Sequence, residues 1–512
     1  MKALRGNNVP EWIAKTRYVV IGGILVLALI LRVWGIRFGL PYLYHPDEGY
    51  LVMPALRILQ TGDPNTHAFS YGTTHFYLLS LLYALYFLYR ARMGLWTTVA
   101  DIPVFEHSAA LISYPVPGVF LVGRLLTALL STLTVLMVYV LGRRIWSERT
   151  GLLAAGLLAV FPMAVLDAHF VTTDSPATLM ALVTAYAAWR IVETGESWLY
   201  MATGLLAGLA ASTKYAVLPI ALLVPLAHAL RQQTPFWHRH LLLGVLAIPM
   251  GFLLGTPYAL LSAPEFLNTL AYVIRQYARP GEITVTSNAL AWHMSFWLKG
   301  FNAPVLILGV LGALWTMVRQ PRKGFFLLTF PLVLWSLIAQ QVTVYARSGL
   351  PTMPFFALFA AALLVHGPLN RGHFKCMALM TLVIVVLVIM FIGSTYHDIL
   401  LTQEDVHTKA LKWVQANIQP GTAIAVDRLG LPVPPDVWPI VRTLHLGDHD
   451  TDWYRAQGVR YLIASPMAES PNRTVQQDQA FAQLRAEATL VATIQGPFLG
   501  WPDYHFWVFH LE

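Results

Sequence analysis

The chain has 512 residues, 56% of them hydrophobic and 12% charged, with a mean hydropathy of +0.57, a composition that excludes an ordinary soluble protein and indicates many membrane spans. Its formal net charge of +8 comes from Lys and Arg clustered between apolar runs, so it reads as membrane topology rather than nucleic-acid binding. The one cysteine, Cys376, excludes an internal disulfide, and the first apolar segment is too long, and lacks the small-residue site, for a cleavable signal peptide.

Tyr18 to Ile36 is apolar apart from Arg32. About 19 residues cross a hydrocarbon core of roughly 30 Å. Lys2, Arg5, Lys15 and Arg17 precede this span, so the positive-inside rule places the N-terminus in the cytoplasm and the stretch Tyr42 to Tyr50 outside. That stretch holds the adjacent acids Asp47 and Glu48 behind His45 and Pro46. A solvated acidic turn is the bland reading. Against it, Tyr42, Tyr44 and Tyr50 place the pair at headgroup depth, where desolvation raises a carboxylate's basicity and a nearby cation restores its ionised form. Such a group can take a proton from a hydroxyl.

Met53 to Thr61 reads as a short interfacial helix ended by the turn Gly62 to Asn65. The apolar run Phe76 to Tyr89 is assigned to an interfacial or re-entrant helix within a large external loop, 37–118, because a crossing there would leave Arg143 and Arg144 outside. From there the charges alternate. Val119 to Leu141 runs inward, and Gly151 to Leu166 returns to a loop with Asp167, His169 and Asp174. Ser175 to Val192 runs inward, and Leu199 to Thr213 and Tyr215 to Leu230 form a pair turning at Lys214. Leu241 to Gly255 leads into an external loop, Thr256 to Phe301, containing Arg275, Arg279, Glu282 and His293. Pro304 to Val318, Phe325 to Ala339, Leu350 to Val365 and Met377 to Gly393 complete about eleven spans, with Arg347 outside.

From Ser394 polarity rises and no further run can span. Helices over Asp405 to Ile418 and Val475 to Ala488, and strands at Thr422 to Val426, Tyr461 to Ala464, Thr489 to Ile494 and His505 to Leu511, predict a small external α/β domain of about 110 residues. The expected organisation is thus a polytopic all-α membrane domain, 1–393, followed by an extracytoplasmic α/β domain, 394–512. No Gly-rich phosphate fingerprint supports a nucleotide cofactor. Asn472-Arg473-Thr474 matches a glycosylation acceptor, meaningful only in a eukaryotic secretory compartment.

This topology gathers Asp47, Glu48, Arg124, Asp174, Lys214 and Arg347 on one face, each near the outer end of a span. Charges beside a bilayer are costly unless paired or hydrated, so their default reading is a site. The bland alternatives are snorkelling for Arg124 and Arg347, a hairpin turn for Lys214, and a helix cap for Asp174, which opens Asp174-Ser175-Pro176. Carboxylates with cations suggest chemistry on a lipid-linked phosphate, the cations holding the leaving group while a carboxylate deprotonates the acceptor. A divalent metal is the one cofactor left open. Its oxygen ligands would be Asp174 with Asp47 or Glu48, and its nitrogen ligands His75, His169 or His293, none of which shows tight metal spacing.

The order of a span, HPDEGY, a loop with His-Phe-Tyr-Leu-Leu, VGRLLTALLSTLTVLMVYVLGRR, HFVTTDSPATLMAL and GLLAGLAASTKYA resembles the GT-C membrane glycosyltransferases. Within them it is similar to the dolichyl-phosphate-mannose protein mannosyltransferase and aminoarabinose transferase superfamily, glycosyltransferase family 39 in its broad sense. The resemblance covers roughly Arg17 to Val365. YARSGLPTMPFFAL looks like that family's Arg-Tyr-x-x-Pro segment with the aromatic before Arg347, and the family's Pro-Pro-Leu stands here as Thr73-Thr74-His75-Phe76.

The resemblance implies a multi-pass cell-membrane enzyme, a hexosyl- or pentosyltransferase. It would pass a sugar from a polyprenyl-phosphate donor to a hydroxyl of a protein, lipid or glycan outside the membrane, inverting the anomeric centre. Asp47 matches the acid of the first external loop, with Glu48 its neighbour, and Asp174 the acid of the second. Arg124 and Lys214 match later basic residues. Two other classes stay open: a lipid or sugar transporter, which would place charges near the midplane on interrupted, repeated halves, and a non-catalytic glycan-binding scaffold, which would tolerate loss of the Asp47 carboxylate.

Overall fold

The structure, a computed structural model, describes residues 11–105, 114–232, 235, 238–279, 288–368, 373–427, 431–466 and 475–512. The Asn472-Arg473-Thr474 pattern, Lys2, Arg5 and Glu282 lie outside them, as does the side chain of Cys376.

The first helix, α1 (Glu11–Val33), is followed by α2 (Pro46–Thr61). Proline suits the first helical position, where its missing N–H costs nothing, so α2 begins at Pro46 rather than Met53 and carries Asp47 and Glu48 in its first turn. Acids there complement the helix dipole. Next come α3 (Thr74–Arg92), in place of the run Phe76 to Tyr89, and α4 (Gly118–Ile145). The expected span Gly151 to Leu166 is broken at Pro162 into α5 (Glu148–Ala159) and α6 (Pro162–Asp167). It leads through a buried loop to α7 (Asp174–Thr194) and α8 (Ser197–Thr213). Beyond Lys214 the chain is a 3-10 helix over Tyr215–Leu222, which contains Pro219, before α9 (Leu223–Arg231) and α10 (Arg239–Gly255).

The segment expected as a loop from Thr256 to Phe301 contains α11 (Tyr258–Leu261), α12 (Ala263–Ala278) and α13 (Ala289–Leu298). Helices α14 (Ala303–Arg319) and α15 (Pro321–Ile338) follow, then a 3-10 turn over Ala346–Thr352, α16 (Met353–His366) and α17 (His373–Thr402). Because α17 is continuous to Thr402, the composition change at Ser394 falls inside a helix.

Among the described residues six helices are long and apolar enough to cross a membrane: Thr16–Val33, Gly118–Ile145, Gly300–Arg319, Pro321–Ile338, Ala346–His366 and Met377–Asn417. Tyr215–Arg231 and Arg239–Gly255 are shorter apolar helices. The expected count of about eleven exceeds this because interior helices need not be apolar throughout: α7, with its Thr, Asp, Arg and Glu, packs mainly against protein.

The C-terminal part opens with α18 (Val406–Asn417), capped by the Asp405 carboxylate, which accepts from His407 N–H at 2.8 Å. The five-stranded sheet has the order β2-β1-β3-β5-β4, with β1 (Ala423–Val426) parallel to β2 (Ile440–Arg442) and β3 (Val459–Ala464), and β4 (Thr489–Phe498) and β5 (Trp501–His510) an antiparallel hairpin. Alternation along β1 sends Ile424 and Val426 towards α18 and Ala425 to the face covered by α19 (Thr451–Ala456) and α20 (Val475–Glu487). The strand β2, too short to show an alternating pattern, was not expected. This layer docks on the membrane domain through Tyr44, whose hydroxyl lies 2.6 Å from Thr408 Oγ1 and whose ring stacks on His407 at 5.0 Å.

Candidate active site

Asp47 and Glu48 are consecutive on α2 and therefore point about 100° apart around its axis. Their fates differ accordingly. Glu48, fully buried, takes a two-pronged grip from Arg124, with Nε and Nη2 each donating at 2.7 Å, and also accepts from Val171 N–H at 3.0 Å. Arg124 Nη1 donates to the carbonyls of Ile36 and Phe38 at 2.9 and 2.7 Å. These bonds leave Arg124 one N–H at most, so the geometry gives this pair a structural task, tying α2 and α4 to the end of α1 and to the loop before α7. The sequence expected Glu48 beside the reacting acid and Arg124 on the donor phosphate; both are instead sealed at 0 and 1% exposure.

Asp47 faces the other way, onto Arg347, which donates through Nη2 to Asp47 Oδ2. The same guanidinium reaches Asp174, Nε to Oδ2 at 3.4 Å, and His45, Nη1 to Nε2 at 3.4 Å. Lys214 donates to the second oxygen of Asp174 at 2.6 Å. Asp47, Arg347, Asp174 and Lys214 thus form one chain of alternating charge, and Asp47, Arg347 and Lys214 keep 19, 22 and 13% side-chain exposure. Burial pushes the Asp47 carboxyl up, but Arg347, His45 and Lys214 outweigh it, with help from the Tyr71 hydroxyl, and hold it below the usual carboxylate range. His45 is driven down to about 4 by burial, hence neutral and able to accept from Arg347.

Asp174 is the first residue of α7 rather than its cap, which is Thr173, so capping does not account for its carboxylate. Lys214 ends α8 in an extended conformation that breaks the helix and aims the side chain at Asp174. A residue the sequence left aside stands behind them: Asp167, buried, accepts from Ser175 Oγ at 2.8 Å and from Thr172 Oγ1, and burial together with Asp174 raises it to about 7. Its position in the loop with Asp174 was the one available signal. The departure from Pro-Pro-Leu also has a structural account. Thr73 Oγ1 donates to Gly255 O at 2.6 Å and Thr74 Oγ1 meets Ser212 Oγ at 2.6 Å, while Gly72 lies against the Ser212 carbonyl where no Cβ would fit. This close seam leads the chain past Tyr71 to Asp47.

His75, His169 and His293, unlike His45, make their contacts away from this chain of charges. His169 places Nδ1 2.8 Å from Val165 O and Nε2 2.9 Å from Trp34 O, tying its loop to the end of α1. Among the described residues His75 is buried without a hydrogen-bond partner, and His293 is wedged edge-on against Trp292 and Trp335 at 5.0 and 5.6 Å. Among the described residues no group of three or more His, Cys, Asp or Glu is placed to hold a metal ion. Asp47 and Asp174 each already hold a cationic side chain where an ion would sit, so the donor set as arranged does not fit a divalent metal.

The family described as dolichyl-phosphate-mannose-protein mannosyltransferase matches residues 103–254, a stretch containing Arg124, Asp167, Asp174 and Lys214 but neither Asp47 nor Arg347. The undecaprenyl phosphate-alpha-4-amino-4-deoxy-L-arabinose arabinosyl transferase 1 of Pseudomonas fluorescens is 27% identical over 243 residues, 43% of this chain and 42% of that protein. The chain spans about half the length, 42 and 51%, of the curated relatives it matches. Among solved structures, ArnT from Cupriavidus metallidurans bound to undecaprenyl phosphate superposes with a TM-score of 0.55 at 15% identity, over 98% of each chain. The Archaeoglobus fulgidus oligosaccharyltransferase in the apo form gives 0.55 at 12% identity, over 95% of this chain and 74% of that one.

Proposed function

We propose that this chain, similar to the GT-C, glycosyltransferase family 39-like membrane proteins, is a membrane glycosyltransferase that moves a sugar from a polyprenyl-phosphate donor to a hydroxyl acceptor on the extracytoplasmic face, with inversion. The observation that carries this reading is the shared guanidinium: Arg347 joins Asp47 to Asp174, with Lys214 on the far oxygen.

In the resting state these cations neutralise the carboxylates. An incoming donor phosphate offers them a second anion. Arg347 and Lys214 take the phosphate, and Asp47, released from its partner, becomes the base. The acceptor O–H gives its proton to Asp47 as its oxygen bonds to C1 from the face opposite the phosphate. The C1–O bond breaks and its electron pair leaves with polyprenyl phosphate. Arg124 and Glu48 hold the walls and touch no reacting atom in this scheme. The related proteins' names supply the donor class, since one is an undecaprenyl-phosphate-aminoarabinose transferase and another was solved with undecaprenyl phosphate.

The test is transfer from a synthetic polyprenyl-phosphate sugar by purified protein and by Asp47→Asn, with anomeric analysis of the product. Removing a general base should lower the rate about 10²- to 10⁴-fold. Unchanged transfer would dismiss Asp47 as the base, and a retained anomeric configuration would dismiss the single displacement.

A further inference from the structure

At the membrane edge opposite the carboxylates lies a cavity of about 810 Å³ lined by Trp189, Glu193, Arg231, Gln320, Arg322 and Lys323 among others. Helix α7 sets its depth, for it starts at Asp174 and its 21 residues span roughly 30 Å before reaching Glu193. The basic residues Arg143, Arg144, Arg319, Arg322 and Lys323 cluster at helix ends on this side, which the positive-inside rule assigns to the cytoplasmic leaflet.

The charge in this cavity is unbalanced. Its one carboxylate, Glu193, is already taken: Arg144 Nε donates at 2.9 Å, Trp189 Nε1 donates at 3.1 Å, and Arg190 Nε lies 3.5 Å away. Among the described residues Arg231 makes a 3.5 Å contact to Ile191 O and its Nε has no partner. Lys323 lies over the Trp146 ring at 5.5 Å, and Arg322 is exposed. Moreover Arg322 and Lys323 stand in the first turn of the 18-residue α15, which contains no acid, where the helix dipole disfavours cations and welcomes an anion. Beside the opening, Val318 and Phe325 are 80 and 54% exposed on the flanking helices, an apolar landing for a chain rather than for a free ion.

We propose that this cavity binds the phosphate headgroup of an anionic phospholipid, with Arg231, Arg322 and Lys323 as its ligands and the α14–α15 surface as the seat of an acyl chain. The site is independent of the transfer reaction and lies on the other leaflet.

Native mass spectrometry of the full-length protein, delipidated and then mixed with phosphatidylglycerol, phosphatidylcholine or inorganic phosphate, tests it. The expected result is one tightly retained phosphatidylglycerol that phosphatidylcholine does not replace, and an affinity about tenfold weaker in R322Q/K323Q. Arg322 is exposed, so R322Q alone supplies a second, structurally mild variant whose affinity should fall in the same direction. Equal retention by parent and both variants, or equal retention of phosphatidylcholine, overturns the proposal. Displacement of the lipid by millimolar inorganic phosphate reassigns the site to a free anion and overturns it as a lipid site. Because the readout is bound lipid and not sugar transfer, its failure and the failure of the proposed activity are told apart.

Discussion

Asp47 and Asp174 are held by one guanidinium, that of Arg347, although they stand in the first turns of different helices, α2 and α7. A lysine at 347 would present a single compact ammonium in place of the planar fork whose separate nitrogens, Nη2 and Nε, reach Asp47 and Asp174. Arg347→Lys should therefore lower transfer about tenfold and Arg347→Ala about a hundredfold. The loss should fall mainly on KM for the polyprenyl-phosphate donor if phosphate capture is the main role, and steady-state kinetics at varied donor concentration decide it.

Glu48 and Arg124 are adjacent in role but not in chemistry to that network. Replacing one partner leaves the other charge buried with no counterion, at a cost of about 3–5 kcal/mol. Glu48→Gln and Arg124→Met should accordingly unfold at markedly lower temperature in detergent than the parent, whereas Asp47→Asn, at a partly open position, should not. A Glu48→Gln protein with parental stability but no transfer would move the reacting acid from Asp47 to Glu48.

Two acids at the site, Asp47 and Asp167, are shifted in opposite directions and give opposite pH dependences. Asp47 is held below its ordinary value, so its pairing with Arg347 stabilises the fold above the unfolded pKa, about 3.9, and that contribution is lost as pH falls through the folded value. Asp167 is raised to about 7, so the folded protein keeps a proton that the unfolded chain releases. Stability from this residue is complete at low pH and declines as pH rises from about 4 towards 7. Asp167→Asn should flatten the decline in unfolding temperature across that window while leaving the acid limb. An unaltered pH profile in Asp167→Asn would show that Asp167 is not the group responsible.

Sequence patterning grouped the charged residues that the fold brings together. Asp47, Asp174, Lys214 and Arg347 could be placed on one face because apolar runs and basic helix ends alternate, and the fold does join all four. It could not tell Asp47 from Glu48, because neighbouring acids on a sequence look alike until a helix start at Pro46 turns them apart. Nor could it see that Arg124 spends its donors inside the protein, since snorkelling, phosphate binding and a buried ion pair all use the same residue type at the same depth. The helix broken before Pro162 and the 3-10 stretch over Tyr215–Leu222 looked like parts of full α-helical spans, because hydropathy does not register backbone geometry. In the C-terminal layer four of the five strands followed from β-rich runs, and the three-residue β2 was too short to show a period.

Tyr44 links that layer to the site. It precedes His45, whose ring stacks on Phe170 at 4.6 Å and whose Nε2 faces Arg347, while its own ring and hydroxyl are fixed by His407 and Thr408. With Phe38, Leu166, Phe170 and Leu401 it forms a small apolar seam between the two parts. Tyr44→Ala removes both the seam's aromatic plug and the hydroxyl contact, a loss of about 3–5 kcal/mol for a buried ring. The connection Thr402 to Glu404 is exposed but held at both ends by buried Leu401 and Asp405, and undocking should loosen it, so limited proteolysis should cleave there faster in Tyr44→Ala than in the parent. Tyr44→Phe, which keeps the ring and loses only the contact to Thr408, should stay close to the parent. Equal cleavage in all three proteins would mean that the C-terminal layer is held by other contacts and that Tyr44 does not couple it to the charged cluster.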